Sequence, residues 1–224
     1  MKDFNALDKT DFFCSWSGGK DSCLALHRAV ERGGVPRFLL TTMHESGARS
    51  RGHGVTLDVI EAQAESLGIP LCAPPTSWED YEENYSSELR GIREKGVTVG
   101  VFGDIDLGEH REWVERVCAA LGMKALLPLW GEERESLLDE FLREGFRAVI
   151  VAVREGLLGR EYLGRALDAS LVSELKKEGV DVSGENGEYH TLVTAGPLFS
   201  RPVVLKTGDH FKRDNVWSLE VSLA

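Results

Sequence analysis

The chain has 224 residues, of which 42% are hydrophobic and 28% are charged. This is enough to build the core of one large α/β domain, or of a nucleotide-binding domain with a smaller domain appended. The formal net charge of -11 argues against a nucleic-acid partner, because proteins that bind along a phosphate backbone usually carry a basic surface. The N-terminal segment MKDFNALDKTDFF lacks the apolar core of a signal peptide, and an apolar run such as Ala148–Val153 is too short to span a bilayer. We therefore expect a cytoplasmic protein with no membrane partner.

The four cysteines are spread along the chain and form no CxxC pair and no Cys/His cluster. A zinc site or a dithiol redox centre needs close spacing, because two sulfurs must meet on one ion or in one bond. Each cysteine lies in an apolar stretch, which is typical of small buried core residues in a cytosolic protein. We therefore predict four core cysteines, namely Cys14, Cys23, Cys72 and Cys118.

Short apolar runs alternate with amphipathic segments through the first half of the chain. The predicted elements, in chain order, are a strand at Phe12–Trp16, a helix at Asp21–Arg32, a strand at Arg37–Met43, a helix at Leu57–Leu67, a strand at Ile69–Cys72, a helix at Trp78–Lys95, a strand at Val97–Phe102, a helix at Glu109–Leu121 and a strand at Ala125–Leu127. This alternation predicts an α/β fold with a parallel sheet covered by helices on both faces. Ligands bind such sheets at the carboxyl ends of the strands.

The second half begins near Pro128, and its pattern changes toward the C-terminus. Its predicted elements are a helix at Glu133–Glu144, a strand at Arg147–Val153, a helix at Glu161–Glu178 and strands at Tyr189–Val193, Val203–Thr207 and Val216–Leu223. The last three strands are separated by Gly-Pro and charged turns, which favours antiparallel pairing. We therefore expect a domain over residues 1–127 and a smaller C-terminal α/β domain over residues 128–224.

A Gly-rich loop with a lysine follows the first predicted strand and opens the first predicted helix. A helix N-terminus presents free backbone N–H groups and the positive end of a dipole, so an anion binds there favourably. Two adjacent glycines let the backbone approach a phosphate closely, while hydroxyl groups and the lysine add donors and charge. The residues predicted to bind phosphate are Ser17, Gly18, Gly19, Lys20, Asp21 and Ser22.

The loop is not a Walker A motif, because its Gly-Lys pair is followed by Asp21 rather than by Ser or Thr. It matches instead the SGGxDS signature of the PP-loop ATP pyrophosphatases. The resemblance implies that ATP is cleaved at the α-phosphate to AMP and pyrophosphate. A strand–helix turn without a ligand is the structural alternative, and six matched residues in the expected context argue against it.

Two further segments place polar groups at predicted strand ends. Phe102–Asp106 follows the fourth predicted strand with a glycine and two aspartates, which favours close approach of a nucleotide and Mg²⁺ held on its phosphates. Its alternative is an acidic loop that caps the following helix. Gly184–Thr191 (GENGEYHT) packs two glycines, two carboxylates, a tyrosine and a histidine ahead of a strand, which is typical of a substrate pocket. A Gly-rich hairpin turn is its alternative.

Together these segments resemble the family of diphthine–ammonia ligases and their relatives, which carry SGGKDS near the N-terminus and GExGEY[HE]T near the C-terminus. The resemblance extends to Leu127–Gly131 (LPLWG) and Gly159–Arg165 (GREYLGR), and so covers nearly the whole chain. It implies a PP-loop α/β domain followed by a smaller C-terminal domain. It also implies a reaction in which ATP adenylates the carboxylate of diphthine, a modified histidine of elongation factor 2, and ammonia displaces AMP to give an amide.

The resemblance also implies roles for individual residues. It places Met43 near the adenine, and Gly103 and Asp104 near the α-phosphate. The residues expected to act in catalysis are Lys20, Asp21, Asp104 and Glu188. Asp21 and Asp104 are expected to hold Mg²⁺. The residues expected to bind the acceptor or to take a proton from ammonia are His53, Glu185, Glu188, Tyr189 and His190.

Some residues depart from the family pattern and leave the acceptor open. Asp104–Arg111 replaces a Ser-x-Tyr-Gln-like run, and His190 stands where many ligases carry Glu. The segment Arg49–Gly54 is more similar to bacterial relatives. Four arginines could hold a carboxylate with two hydrogen bonds, although surface charge is the commoner role: Arg51, Arg154, Arg160 and Arg165.

Two alternatives to the ligase stay open at the level of the sequence. The first is a PP-loop ATP pyrophosphatase that acts on another acceptor, either a small carboxylate or a tRNA base. An enzyme acting on a tRNA base would predict paired cysteines or a basic extension, and neither is visible. An ATP or AMP sensor without turnover would not need so many polar groups at two sites. We expect ATP, Mg²⁺ and ammonia as ligands, elongation factor 2 as a partner, and a homodimer.

Overall fold

The computed structural model describes residues 7–224, so the first six residues of the N-terminal segment considered above lie outside the described part. The chain divides into two compact units. The first contains residues 7–17, 21–51 and 68–132 among those described. The second contains residues 18–20, 52–67 and 133–224.

The first unit is built on a sheet of five parallel strands. The elements in this part of the chain are β1 (Asp11–Ser15), α1 (Lys20–Glu31), β2 (Val35–Leu40), α2 (Leu57–Leu67), β3 (Leu71–Cys72), α3 (Tyr81–Glu94), β4 (Val99–Val101), α4 (Gly108–Ala120) and β5 (Lys124–Leu126). Of these, α2 and the first residue of α1 group with the second unit. The nine predicted elements are all present, with boundaries that shift by a few residues.

The strand order in this sheet is β3-β2-β1-β4-β5, and all neighbours are parallel. The order reverses at β1, which pairs with β2 on one side and with β4 on the other. Right-handed crossovers then place α1 on one face of the sheet and α3 and α4 on the opposite face. The predicted α/β fold class is confirmed, and the reversal at β1 marks the edge where ligands bind such sheets.

The core on one face of this sheet joins β1 and the segment after β4 to α3 and α4. Phe13 and Phe102 meet edge to face with ring centroids 5.8 Å apart, and Leu89 of α3 and Val117 of α4 are buried beside them. Each such side chain contributes about 1.5–3 kcal/mol when fully buried. The end of β1 and the end of β4 are therefore fixed by the same core.

The second unit contains a four-stranded sheet of order β7-β6-β9-β8, in which every pairing is antiparallel. Its elements after residue 132 are α5 (Arg134–Arg143), β6 (Arg147–Arg154), a 3₁₀ turn (Arg160–Tyr162), α6 (Ala169–Lys177), β7 (Tyr189–Ala195), β8 (Leu205–Arg213) and β9 (Val216–Leu223). Helix α2 packs against β9 within this unit. The antiparallel pairing predicted for the C-terminal strands is confirmed.

The single helix predicted at Glu161–Glu178 is wrong. Gly164 adopts φ +81 and ends the 3₁₀ turn, and residues 164–167 then run beside β6 through backbone hydrogen bonds. Helix α6 begins only after Asp168, whose carboxylate accepts from the N–H of Leu171 at 2.9 Å. The spacing of leucines suggested a continuous helix, whereas pairing with β6 determines the structure of its first part.

The strand predicted at Val203–Thr207 is longer and lies later, at Leu205–Arg213. Most of its residues are exposed and polar, so no apolar alternation signals it. It forms through its hairpin with β9, closed by Asp214 at φ +52.

Cys14, Cys23 and Cys118 are buried, as predicted, and Cys72 is half-buried. Burial raises the pKa of all four thiols, that of Cys118 to about 12. Across residues 7–224, none of the helices combines the length and the apolarity that a bilayer crossing requires.

Candidate active site

The Gly-rich loop connects the end of β1 at Ser15 to the start of α1 at Lys20. Gly18 has φ +81, a conformation that side chains disfavour. A Cβ added to Gly19 would lie 2.4 Å from Cε1 of His53, and one added to Gly18 would lie 2.7 Å from Oε1 of Gln63. Both glycines are therefore required by close packing, and Gly18 also by its conformation.

The hydroxyl groups at the two ends of the loop are linked to each other. The Oγ atoms of Ser17 and Ser22 lie 3.0 Å apart, and Ser22 is buried in the first turn of α1. Their hydrogen bond ties the entrance of the loop to the helix. The N–H groups of this turn thus have a fixed direction, as an anion site requires.

Residues 18–20 are held against β7. The N–H of Val193 donates to the carbonyl of Gly18 at 2.9 Å, and the N–H of Lys20 donates to Oγ1 of Thr191 at 3.1 Å. The amide of Gln63 donates both to the carbonyl of Gly18 at 3.1 Å and to that of Val193 at 2.6 Å. Residues 18–20 of the loop are therefore fixed beside β7.

The sequence did not identify Gln63 as a site residue, although it offered a signal. Gln63 is fully buried and shares one face of α2 with Val59, Ile60 and Ala64. A single amide on an otherwise apolar helix face needs polar partners when it is buried. Its partners are the two backbone carbonyls that join the loop to β7.

The side chain of Lys20 pairs with the acceptor segment Gly184–Thr191. Its Nζ lies 3.2 Å from Oε1 of Glu185, and the two side chains are 7% and 16% exposed. A pair so well shielded from water interacts more strongly than a surface ion pair. The lysine predicted to bind phosphate is thus held by a carboxylate of the predicted acceptor site.

Two stacked imidazoles lie beside this pair. The rings of His53 and His190 are 4.8 Å apart and nearly parallel, and Nδ1 of His53 lies 2.9 Å from the carbonyl of Thr191. Because a carbonyl accepts, Nδ1 carries the proton and Nε2 keeps its lone pair. Burial, the charge of His190 and that of Lys20 lower the pKa of His53 to about 3, against the Thr191 hydrogen bond, which raises it.

The pKa of His190 is lowered to about 4 by burial first, and then by the positive charges of Lys20 and Arg154. Both imidazoles are therefore neutral at pH 7. A neutral imidazole can accept a hydrogen bond or a proton, and it adds no positive charge that would compete with Lys20 for a carboxylate.

The remaining residues of the acceptor segment shape its turn. Glu188 is 6% exposed, and its carboxylate accepts from the N–H of Asn186 at 3.0 Å and from the side-chain amide of Asn186 at 3.1 Å. The buried hydroxyl of Tyr189 donates to the carbonyl of Val182. The segment is therefore a turn between α6 and β7 and not the hairpin turn of its structural alternative. It places Glu185 and His190 next to the loop.

The predicted nucleotide-side residues lie in the first unit. A Cβ added to Gly103 would lie 2.8 Å from the backbone of Asp21, so the segment after β4 packs directly on the first turn of α1. Asp104 follows, half-buried, with Oδ1 3.2 Å from Nδ1 of His110. Met43 is fully buried, and its backbone pairs with Pro74 and with Thr76.

The residues expected to hold Mg²⁺ fit the ion by their chemistry. Asp21 and Asp104 offer carboxylate oxygens, which Mg²⁺ prefers, and Gly103 brings the segment that carries Asp104 onto the helix turn that carries Asp21. Mg²⁺ usually takes one or two carboxylates together with phosphate oxygens and water. Two carboxylates beside a phosphate loop are consistent with that pattern.

The four arginines considered for carboxylate binding differ in their contacts. Arg165 forms two hydrogen bonds with Glu174, and Arg160 lies 5.7 Å above the ring of Trp217. The guanidinium of Arg154 packs against Gly187 of the acceptor segment. Arg51 donates to the carbonyl of Thr76 and lies 4.5 Å above the ring of Trp78. Of the four, Arg154 is the one in contact with the acceptor segment.

A strand, a Gly-rich loop and a helix N-terminus at the reversal of the strand order define a phosphate-binding α/β protein. Two family models that match the chain identify the family within this class. Residues 12–125 match the model described as the diphthamide synthase N-terminal domain, and residues 133–221 match the diphthamide synthase C-terminal domain. The chain belongs to the diphthamide synthase family, as its sequence predicted.

Curated relatives carry the name diphthine–ammonia ligase. The protein from Schizosaccharomyces pombe is 31% identical over 218 residues, which cover 84% of this chain and 35% of that protein. Those from Danio rerio and Homo sapiens are 29% and 28% identical, and the matches cover 84% and 82% of their lengths. The chain thus spans about a third of the yeast protein and most of the vertebrate ones. The predicted enzyme class, a ligase, is confirmed by these relatives.

A solved structure described as a predicted subunit of a tRNA methyltransferase from Methanocaldococcus jannaschii is also similar. It matches with a TM-score of 0.42 and 16% identity, over 77% of this chain and 90% of that one.

Proposed function

We propose that the chain is an ATP-dependent, amide-forming ligase that activates a carboxylate as its acyl adenylate. The carboxylate attacks the α-phosphorus of ATP, the bond to the β-phosphate breaks, and pyrophosphate leaves. Ammonia then attacks the acyl carbon, AMP leaves with the electron pair of the carbon–oxygen bond, and nitrogen loses a proton. The observation that supports this proposal is the contact of Lys20, in the phosphate loop, with Glu185 and Thr191 of the acceptor segment.

Adenylation needs neutralisation of phosphate charge rather than a protein nucleophile. We assign that task to the N–H groups of Ser17–Ser22 and to the ammonium of Lys20. Mg²⁺, when bound, would add positive charge at the phosphate oxygens, held by Asp21 and Asp104. We further propose that Met43 lies near the adenine and Gly103 near the α-phosphate.

Amidation needs a group that takes a proton from the nitrogen nucleophile. Glu185 and the two neutral imidazoles of His53 and His190 offer acceptors next to the loop. Glu188 is proposed as a second carboxylate of the acceptor site, where its two oxygens accept from the backbone and the side chain of Asn186 and keep further lone pairs for a proton. The hydroxyl of Tyr189 is bonded to Val182, so we assign its ring, rather than its hydroxyl, to the wall of the acceptor pocket.

The acceptor that we propose is the diphthine of elongation factor 2, because the curated relatives are named for that substrate. We also propose that residues 1–127 bind ATP and residues 128–224 bind the acceptor. The expected homodimer and the cytoplasmic location stay predictions.

The test measures AMP formed from ATP, Mg²⁺ and ammonium, with and without elongation factor 2 that carries diphthine. We expect AMP only with that acceptor, and a loss of about 100-fold or more in Lys20→Ala, since the loop then lacks its cation. Lys124→Ala, which removes an exposed lysine of β5, should leave the rate unchanged.

Two other outcomes would redirect the proposal. AMP formed equally with and without this acceptor would mean that the ATP site serves another carboxylate. ATP binding without AMP under any of these conditions would favour a nucleotide sensor. Both outcomes would contradict the diphthine assignment and leave the family assignment intact.

A further inference from the structure

The pairing of Lys20 with Glu185 places an ammonium group against a carboxylate at the proposed site of amide formation. Nζ of Lys20 lies 3.2 Å from Oε1 of Glu185, and both side chains are shielded from water. Lys20 also begins α1, and the N-terminus of a helix favours a bound phosphate. A phosphate bound there would attract the same lysine that Glu185 now holds.

We propose that the position of the Lys20 ammonium beside Glu185 is the binding site of the substrate ammonium ion, and that ATP opens it by drawing Lys20 onto its phosphates. This inference rests on the proposed function. An ammonium ion has the charge and the N–H donors of a lysine side chain, so a site that holds one suits the other. The geometry therefore identifies the nitrogen-binding position and an order of binding, ATP before ammonium.

Glu185 keeps its place by contacts other than its pair with Lys20. Its N–H donates to the carboxylate of Asp181 at 3.2 Å, and that carboxylate is paired with Arg134. The preceding Gly184 has φ +71 and fixes the turn. The backbone that carries this carboxylate is thus held by contacts that do not involve the lysine.

The neighbouring imidazoles complete the site chemically. His53 lies against Gly19 and stacks on His190, so both rings border the same stretch of loop. Being neutral, they do not repel an ammonium ion as protonated rings would. One proton of the ion passes to Glu185 or to an imidazole, and the lone pair that this frees attacks the acyl carbon. The second proton leaves with formation of the amide, and AMP departs with the electrons of the broken bond.

The first test measures nucleotide binding by calorimetry with a non-hydrolysable ATP analogue, so that no acceptor is needed. We expect Glu185→Gln to bind the analogue about 10-fold more tightly, because the lysine no longer has to leave a carboxylate. Glu155→Gln, which removes an exposed glutamate paired with Lys212 in the same unit, should bind as the wild type does. Weaker binding of the analogue by Glu185→Gln would overturn the proposed movement of Lys20 from Glu185 to the phosphates, because Glu185 would then support the nucleotide directly.

The second test needs no substitution at the site. Binding of ammonium chloride to the wild-type protein is measured with and without the ATP analogue, and tetramethylammonium chloride serves as the control cation. We expect saturable binding of ammonium only with the analogue, and none of tetramethylammonium, which lacks N–H donors. Equal binding of ammonium in both states would overturn the proposed order.

The third test uses turnover. Glu185→Gln should raise KM for ammonium about 10-fold or more while the acceptor-dependent exchange of labelled pyrophosphate into ATP continues, and Glu185→Asp should be intermediate. An unchanged KM for ammonium would contradict the proposal that ammonium binds at Glu185. Failure of the proposed function would look different, because the wild type itself would then show no pyrophosphate exchange.

Discussion

At the scale of the residue, the described contacts give single groups in the loop a defined task. Gly19 has no side chain because His53 occupies the space where one would be. Lys20 is held by Glu185, 165 residues away in sequence. The SGGKDS pattern predicted that the glycines let the backbone approach a phosphate. It could not predict the packing of Gly19 against His53 or the pairing of Lys20 with Glu185, because contacts between distant residues are decided by the fold of the whole chain.

Gly19→Ala tests whether the loop needs the close approach of Gly19 to His53. Its Cβ would lie 2.4 Å from His53 and 3.2 Å from the carbonyl of Thr191, so either the ring or the loop must shift. We expect a loss of about 1–3 kcal/mol in the free energy of unfolding, and at least about a 10-fold loss of ATP affinity. Urea unfolding and calorimetry measure the two effects.

Gly91→Ala in α3 is the matched control, because a Cβ there meets nothing within 4 Å. It should bind ATP as the wild type does. Unchanged ATP affinity in Gly19→Ala would show that the loop tolerates a side chain and that its glycine serves another purpose.

At the scale of the element, periodicity succeeded where an element buries one face against a sheet. The helix at Leu57–Leu67 and the strand at Val216–Leu223 match their predictions in both bounds. It failed where pairing overrides periodicity, as at residues 164–167, which lie beside β6 instead of continuing a helix. Gln63 shows a third case, since its burial was visible in the pattern while its partners, Gly18 and Val193, were not.

Gln63→Leu tests the junction between α2, the loop and β7. The change keeps an apolar face on α2 but removes both hydrogen bonds of the amide, so we expect a loss of about 1–3 kcal/mol in the free energy of unfolding. We also expect weaker ATP binding, because the loop loses one of its ties to β7. Glu61→Gln, at an exposed position of the same helix, should change neither quantity. Normal ATP affinity in Gln63→Leu would mean that the backbone bonds alone position the loop.

At the scale of the whole molecule, the two units are interleaved along the chain. The second unit takes residues 18–20 and 52–67 from the first half of the sequence and the rest from residues 133–224. Within it, α2 packs on β9 and its Ser66 bonds to the backbone of Arg201. The sequence predicted a second half that begins near Pro128, but no local pattern reveals that an earlier helix belongs with it.

Residues 133–224 expressed alone should therefore fail to fold stably. The fragment lacks α2, so the apolar face of β9 that this helix covers would be exposed. The hydrogen bond from the Gln63 side-chain amide to the carbonyl of Val193 would also be lost. We expect poor dispersion in its ¹H–¹⁵N correlation spectrum and no cooperative thermal transition. A dispersed spectrum with a sharp transition would contradict this, and would favour an independent acceptor domain.

The placement of residues 18–20 along β7 has a consequence for redesign. In the sequence, residues 184–190, which we propose to bind the acceptor, are far from residues 17–22, which we propose to bind ATP. In the folded chain, however, Thr191 and Val193 hold the backbone of the phosphate loop. A library that varies residues 184–190 should therefore keep Thr191 and Val193 unchanged. When this segment is replaced by that of a relative, the Gly-rich loop of the same relative should be introduced together with it.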